Sequence, residues 1–400
     1  MIMTDRRNKI IFIVGNVIAC VVITLLVVWN FYPQSGVVDA YSDSRCHAEW
    51  AKAFFEKNPA GYAPKVKAYP LFFYLTGLAG SLVNDIHIGI VIIGVLFALI
   101  AFGAIEYYIF RRLSFSVISP IGCILYAFAL SFAWPVDFTF SLLRGKMSIS
   151  ELYLKVLCTN PAHSITALAP KGLSILVVML FCECFAKKQY ERKMLIISVL
   201  LLGSVLLKPS FYQFFVIAGT VVVIAAFLRR PNISNFEFTL CMALSFIPAT
   251  AFVINGKSEG GIGFAISPFE CILKWNRNLL EAAWSVFMGI FFCILVLVVS
   301  LYKKSFSKEL GFAWLCYAIG TLEYILLVEP ADVESCNFAW GYMGGMFLLF
   351  VVSVVEMEKL HDRGVIGKYG INILRGVLLW HAAVGIYAYL KFAEPYRLSM

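Results

Sequence analysis

Two carboxylates, Asp39 and Asp43, follow closely after the first long apolar segment of the chain, within the stretch "VVDAYSDSRCHAEW" of residues 37–50. A carboxylate held at the edge of an apolar segment could act as a general base on the head group of a lipid-anchored substrate. Asp43 also has a structural alternative, because Asp is favoured at a helix N-cap and a helical pattern begins at Ser44. We predict that Asp39 or Asp43 is catalytic.

Two further polar residues of this stretch, His47 and Glu49, lie on a predicted helix that starts at Ser44. Its aromatic residues recur at a spacing of four and its charged residues keep to another face, which predicts an amphipathic helix on the membrane surface. We assign both residues to substrate binding. The alternatives are an ion pair of Glu49 with Arg45 or Lys52, and a His47 ring that simply faces the lipid interface.

Three basic residues stand at the ends of other apolar segments: His163, Lys171 and Lys208. A Lys ammonium is a compact charge suited to a phosphate oxygen. Lys171 is predicted about two turns inside a helix that begins near Ser164, where a charge is costly without a partner. In "LLKPSF" the proline ends a short apolar run, so Lys208 is predicted at a hairpin turn. The alternative for both lysines is snorkelling, in which the long stem lets the amine reach water.

Glu323 lies about four residues from the predicted outer end of an apolar segment, and an intramembrane carboxylate is a functional candidate. A hydrogen-bonded Glu packed between helices is the alternative. Lys274 and Arg277 accompany aromatic residues in the stretch 256–278, where the two basic side chains could hold a phosphate and the aromatic rings could stack on a sugar. An aromatic and cationic rim is also typical of any interfacial segment.

The composition indicates what must position these side chains. Of 400 residues, 61% are hydrophobic and only 14% are charged, and the mean hydropathy is +0.83. Soluble domains are about 25% charged, so the chain is predicted to be an all-α, multi-pass membrane protein. Its apolar runs are long and continuous instead of alternating, which excludes a β-barrel. Residues 1–400 are predicted to form one polytopic unit with no soluble domain.

About eleven transmembrane helices are predicted, because each crossing needs roughly 20 apolar residues. The segments lie near residues 10–32, 88–110, 113–134, 165–186, 194–207, 210–228, 236–254, 282–302, 309–328, 339–355 and 371–392. The fifth segment is too short to span comfortably.

Lys and Arg clusters fall on alternate connections, which the positive-inside rule assigns to the cytoplasm. The N-terminus is therefore predicted inside and the C-terminus outside, with long outer loops near 33–87, 135–164, 255–281 and 329–338. The net charge of +9 fits anionic lipid head groups and does not require a nucleic acid. Four of the 11 cysteines, Cys46, Cys158, Cys271 and Cys336, fall in these loops, and without paired spacing they are predicted to be small buried hydrophobes.

The order of first helix, acidic outer loop with an interfacial helix, and "YPLFFYLTGL" (residues 69–78) resembles integral-membrane glycosyltransferases of the C type. The stretches "NPAHSITALAPKG", "LKPSF" and "CNFAWGY" are similar to segments of uncharacterised multi-pass bacterial proteins. The resemblance implies the same helical fold, a polyprenyl-phosphate-linked sugar as donor, a catalytic acid in the first outer loop and a place in the bacterial plasma membrane. Many members carry adjacent or DxD-spaced acids, whereas here the two acids are four residues apart.

Two classes of function follow. The first is a glycosyltransferase that moves a sugar from the lipid carrier to a glycan or lipid acceptor on the outer face, with or without a divalent cation. The second is a transporter or flippase of lipid-linked oligosaccharide, and a polysaccharide polymerase or ligase would share the donor of the first. Polar residues crowd towards one side of the predicted membrane, whereas a transporter should carry them through the bilayer. We therefore favour the transferase.

Overall fold

The computed structural model describes residues 6–37, 42–113, 117–136, 158–159, 161–187, 191–260, 263–330, 333 and 336–398. These residues form α-helices, short 3-10 helices and one small β-ladder. The helices are α1 (Arg6–Gly36), α2 (Ser44–Phe55), α3 (Pro70–Val83), α4 (Ile86–Arg112), α5 (Pro120–Ser131), α6 (Lys171–Lys187), α7 (Glu191–Leu207), α8 (Ser210–Arg229), α9 (Ile233–Gly260), α10 (Glu270–Trp275), α11 (Leu279–Gly289), α12 (Phe291–Tyr302), α13 (Lys308–Leu326), α14 (Ala339–Asp362) and α15 (Lys368–Leu398). The 3-10 helices are Pro59–Gly61, Pro64–Ala68 and Ile165–Leu168, and strand β1 (Ala265–Ile266) pairs antiparallel with β2 (Leu327–Val328).

Several helix starts follow from local sequence. The Asp85 carboxylate accepts hydrogen bonds from the first backbone N–H groups of α4, and Ser119 and Ser307 cap α5 and α13 in the same way. A capping side chain satisfies N–H groups that have no partner within the helix. These positions explain why the apolar runs begin as helices where they do.

The chain is an all-helical, multi-pass membrane protein. Within the described residues, seven helical segments are long and apolar enough to cross a membrane: Arg7–Gly36, Ile86–Arg112, Ile165–Ala186, Ser210–Arg229, Ile233–Asn255, Ala339–Asp362 and Lys368–Pro395. An eighth crossing results if α11 and α12, which meet at a bend of 69°, count as one span.

The predicted count of eleven is therefore not confirmed, although each predicted segment lies on one or two helices. Among the described residues of the segment at 113–134 the helix is α5, which has 12 residues, and the segment at 194–207 lies on α7, which has 17. The segment at 282–302 is broken at Ile290, and the segment at 309–328 lies on α13, which carries two glutamates. Hydropathy alone does not reveal helix breaks of this kind.

Helix α14 is the centre of the molecule. In its most apolar window 89% of the residues are buried, against 17% for α1 at the periphery. Helix α13 packs directly on α14: a Cβ atom added at Gly320 would lie 2.7 Å from the Gly341 carbonyl oxygen, and one at Gly345 would lie 2.9 Å from the Tyr317 Cα. Small residues permit this close backbone approach.

Helix α2 forms as predicted, from Ser44 to Phe55, and its placement is now defined. Its buried residues are Ser44, His47, Ala48 and Ala51, and this side packs against α3 and α4. The buried side of the amphipathic pattern thus faces protein.

A charged network joins the ends of helices that carry the predicted cytoplasmic clusters. Arg112 of α4 binds both Glu183 of α6 and Glu309 of α13, at 3.3 Å and 2.9 Å, and Lys193 of α7 also binds Glu183, at 2.8 Å. Lys171 begins α6 and Glu183 lies near its end. The basic clusters and the predicted site residues therefore lie towards opposite ends of these helices.

Candidate functional site

Four segments that are distant in sequence meet at one end of the helices. They are the residue before α2, the 3-10 helix that precedes α6, the turn between α7 and α8, and the first turn of α14. Their polar side chains form a cluster of Asp43, Ser164, Thr166 and Lys208, with the Trp340 ring beside it. We call this set the acid–lysine cluster.

Asp43 occupies the N-cap position of α2, but its side chain makes no capping hydrogen bond. Its Oδ2 instead accepts a hydrogen bond from the Ser164 hydroxyl at 3.0 Å. Its Oδ1 is buried and has no hydrogen-bond donor within the part of the chain that the structure describes. The carboxylate is thus directed into the cluster, and the capping alternative does not account for its orientation.

The hydrogen bonds of the cluster have one consistent direction. The Lys208 ammonium has only donors, so it donates to Thr166 Oγ1 at 2.8 Å. The Thr166 hydroxyl lies 3.1 Å from Ser164 Oγ and can donate to it, and Ser164 donates to Asp43. An ammonium and a carboxylate are therefore linked through two buried hydroxyls.

Lys208 is enclosed. It follows the last residue of α7 and precedes Pro209, so the predicted hairpin turn is present. The residue is only 8% exposed, and its Nζ lies 3.6 Å from the centroid of the Trp340 ring. A cation over an indole face is stabilised by the ring quadrupole. The ammonium is held by protein groups, whereas a snorkelling lysine would extend to the surface.

His163 completes one side of the cluster. Its ring centroid lies 5.7 Å from that of Trp340 and 6.5 Å from that of Phe392. Burial lowers the pKa of His163 to about 4, an effect that Lys208 reinforces and Asp43 opposes. The imidazole is therefore neutral at ordinary pH.

Buried amides of α1 hold the segment that carries these residues. The side chains of Asn30 and Gln34 both donate to the carbonyl oxygen of Ala162, at 2.8 Å and 2.9 Å. Ser42 in turn donates to Gln34 Oε1 at 2.6 Å. The end of α1 thus positions both His163 and the chain that leads into Asp43.

A small cleft of about 30 Å³ adjoins the cluster, and Trp340 belongs to both. Its lining is mostly apolar and consists of Thr159, Pro161, Ala167, Pro170, Lys171, Ser174, Ser210, Phe211, Trp340, Met343, Gly344 and Phe347. Lys171 is its cation: Nζ donates to the Thr159 carbonyl oxygen and lies 5.0 Å from the Phe347 ring centroid. The sequence predicts Lys171 about two turns inside an α-helix that begins near Ser164. It is instead the first residue of α6, which follows the 3-10 helix Ile165–Leu168.

Glu323 lies on α13, beside the start of α14. It is 8% exposed, and its Oε2 would be 3.0 Å from a Cβ atom added at Gly341, the residue after Trp340. The Gln213 side chain adjoins the same position, at 3.7 Å from that Cβ atom. Glu323 therefore packs between helices, next to a residue of the cluster.

The remaining predicted residues lie elsewhere or are only neighbours. His47 is buried against Phe73, and its Nδ1 lies 3.7 Å from Asp43 Oδ2. Glu49 forms an exposed ion pair with Arg45 at 2.9 Å, as the alternative interpretation had it. Lys274 on α10 and Arg277 after it are exposed and do not line the cleft. Asp39 lies outside the described residues.

Sequence reasoning did not single out Ser164, Thr166 or Trp340. All three lie in stretches that carried the family resemblance, but hydroxyls and an indole have no charge that would mark them in an apolar sequence. Only their contacts with Asp43 and Lys208 identify them. Within the described ranges, no three His, Cys, Asp or Glu side chains converge as metal ligands would.

The fold and the cluster define the class: an all-helical, multi-pass membrane protein with a half-buried carboxylate and a buried lysine at one end of its helices. No protein-family model matches the sequence, and no curated protein matches it. Two crystal structures of the Archaeoglobus fulgidus oligosaccharyltransferase are similar to this chain. The form tethered to an acceptor peptide containing the NVT sequon has 13% identity and a TM-score of 0.40, over 95% of this chain and 55% of the other. The apo form has 12% identity and a TM-score of 0.42, over 95% and 56%. The chain thus spans about half the length of these structures.

Proposed function

We propose that this protein is a membrane glycosyltransferase that takes a sugar from a polyprenyl-phosphate carrier at the outer face of the membrane. The observation that supports this most is the acid–lysine cluster beside an apolar cleft. It places a buried cation and a carboxylate, one oxygen of which accepts no hydrogen bond from the described residues, within one hydrogen-bonded chain. Transfer of a sugar from a lipid phosphate would use the carboxylate as a base and the cation as a partner for the phosphate, and the isoprenoid chain of the lipid would need an apolar surface.

The chemistry assigned to the cluster is a displacement at the anomeric carbon of the sugar. An acceptor hydroxyl attacks that carbon, and the bond from the carbon to the phosphate oxygen breaks. The proton of the hydroxyl passes to Asp43, and the phosphate leaves as an anion whose charge Lys208 meets. A positioned general base contributes about 10²- to 10⁴-fold to such a step. No step requires a metal ion.

His163 does not supply the base in this scheme. Burial lowers its pKa to about 4 and so disfavours the imidazolium that would form if the ring accepted a proton, and its ring packs between aromatic residues. We assign it to holding Trp340 and to excluding water from the cluster. Exclusion of water strengthens the interaction between the lysine and a phosphate.

We assign the lipid part of the donor to the apolar surface at the cleft. Prolines, aromatic residues and Met343 form half of the lining, and Lys171 is the charged group on it. An isoprenoid chain would lie on the apolar wall, and Lys171 would be a second contact for the phosphate. The acceptor, a glycan or a lipid, would approach from the side of Asp43.

The test measures cleavage of the donor. The protein in nanodiscs is supplied with a panel of tritiated polyprenyl-phosphate hexoses and pentoses and with membrane-extracted acceptors, and released polyprenyl phosphate is quantified. We expect Asp43→Asn to lower the rate at least 100-fold, because the base is lost with little change of shape. Glu49→Gln is the matched control, since it changes an exposed acid on the same helix and should leave the rate unchanged.

Asp39→Asn is measured in parallel, because the sequence predicts either acid of the first loop. Full activity in Asp43→Asn would remove this residue from the mechanism. A second assay uses liposomes of the same lipid composition as the nanodiscs. If the protein moves the intact lipid-linked sugar across that bilayer without releasing polyprenyl phosphate, it is a flippase and the proposal fails.

A further inference from the structure

Two cysteines from distant parts of the chain meet beside the start of α14. Cys271 lies on α10 and Cys336 lies three residues before α14, and each is 1% exposed. The Cys336 Sγ lies 3.4 Å from the carbonyl oxygen of Cys271, across 65 positions of sequence. Both belong to predicted outer connections, at 255–281 and 329–338.

The surrounding backbone, and not the thiols alone, holds these two segments together. Strand β1, which precedes Cys271 in the chain, pairs with β2, which precedes Cys336. Two further backbone hydrogen bonds extend this ladder: Ser267 N–H donates to the Leu326 carbonyl at 2.9 Å, and Phe269 N–H donates to the Ile325 carbonyl at 2.7 Å. Asn337 Nδ2 also donates to Glu329 Oε2 at 2.7 Å. The two cysteines are thus held close together by several independent contacts.

The backbone at Cys336 is unusual. Its φ angle is +44°, in the left-handed region that residues other than glycine rarely adopt. The Cys336 thiol donates to the carbonyl oxygens of Cys271 and Val333, and the Cys336 side chain lowers the pKa of the Cys271 thiol below its ordinary value, against the effect of burial. A thiolate is the form that attacks a disulfide.

We propose that Cys271 and Cys336 form a disulfide bond when the protein is exposed to the oxidising side of the membrane. Because both thiols are enclosed in the folded chain, the exchange takes place while the protein folds: the Cys271 thiolate attacks the disulfide of an oxidising thiol–disulfide oxidoreductase, and the Cys336 thiolate then displaces that enzyme. The two thiols lose two protons and two electrons as the new S–S bond forms, and the disulfide of the oxidoreductase becomes two thiols. Disulfides persist in extracytoplasmic compartments and are rare in the cytosol.

The bond would fix the segment that presents Trp340. The carbonyl of Cys336 accepts a hydrogen bond from Ala339 N–H at 2.8 Å, so it lies in the first turn that leads into α14. Trp340 is the residue after Ala339, and its ring lies against the Lys208 ammonium. Reduction would therefore loosen the start of α14 and with it the indole that contacts the lysine. The disulfide itself does not depend on the proposed glycosyl transfer.

Thiol counting tests the proposal on the full chain. Cells that express the protein are quenched in acid, which protonates thiols and prevents exchange. The protein is then denatured and labelled with a maleimide polymer that adds a visible mass to each free cysteine. We expect two fewer labels than the 11 cysteines of the chain, and all 11 labels after prior reduction.

Single variants identify the pair. Cys271→Ser should free its partner, so that every remaining cysteine is labelled without reductant. Cys46→Ser is the matched control, because this cysteine is exposed on α2, and its variant should keep two cysteines blocked. Labelling of all 11 cysteines in the unreduced wild-type protein would overturn the proposal. So would a blocked pair that persists in Cys271→Ser.

Discussion

Removal of the Lys208 charge is the sharpest perturbation of the proposed donor site. In Lys208→Met the unbranched stem and most of its packing remain, while the hydrogen bond to Thr166 at 2.8 Å and the cation on the Trp340 ring at 3.6 Å are lost. The carboxylate of Asp43 keeps its bond to Ser164. The variant therefore changes the charge at the turn and little of the surrounding shape.

The expected magnitude follows from the kind of contact. A hydrogen bond from an ammonium to a phosphate contributes about 1.5–3 kcal/mol, which corresponds to roughly 10- to 150-fold in affinity. The effect on folding should be smaller, because the lost hydrogen bond and cation–π contact are offset by relief of the cost of burying an ammonium, which is several kcal/mol. We therefore expect donor binding to weaken by far more than the protein is destabilised.

The assay compares two ligands in nanodiscs, a fluorescent polyprenyl phosphate and the matching polyprenol, which lacks the phosphate. Lys208→Met should weaken binding of the phosphate at least 10-fold and leave binding of the alcohol unchanged. Lys52→Met, which removes an exposed lysine in the last turn of α2, should change neither. An unchanged affinity for the phosphate in Lys208→Met, with the thermal unfolding of the variant intact, would refute the role of this lysine.

Three other predictions concern stability and topology. Because burial lowers the pKa of His163 from 6.5 to about 4, the unfolded chain binds a proton that the folded chain does not, and stability falls as the pH drops from about 6.5 towards 4. The loss between pH 7 and pH 5 should be about 2 kcal/mol, and a thermal unfolding series should show it reduced in His163→Gln. Gly320→Ala should destabilise the protein by about 1–3 kcal/mol, since its Cβ would lie 2.7 Å from the Gly341 carbonyl; Gly103→Ala, which meets nothing within 4 Å, should not. A membrane-impermeant maleimide applied to intact cells should label exposed Cys46 from outside, and labelling only after permeabilisation would reverse the predicted orientation.

The sequence by itself predicted the class of the molecule and most of its helices. Continuous apolar runs in a chain that is 14% charged exclude a soluble fold, because backbone groups in lipid must be paired within helices. The amphipathic helix from Ser44 and the turn at Lys208 were also evident, since both depend on local spacing and on Pro209. The predicted count of eleven crossings is not confirmed: within the described residues seven helical segments, or eight with the bent pair α11 and α12, are long and apolar enough, and hydropathy alone does not show where a helix ends or bends.

Only the tertiary structure decided which polar residues meet. Asp43 could have capped α2, and local sequence favours that arrangement, yet its carboxylate bonds to Ser164, which lies 121 positions away. Glu49, on the same helix, remains in the local ion pair that its spacing predicts. The difference lies in what surrounds each carboxylate: Glu49 is exposed and is satisfied by its neighbour on the helix, whereas Asp43 is half-buried with its Oδ1 atom enclosed, and such a group takes its donors from the segments that pack against it. Those segments are brought together by helix packing, which no local pattern of residues encodes.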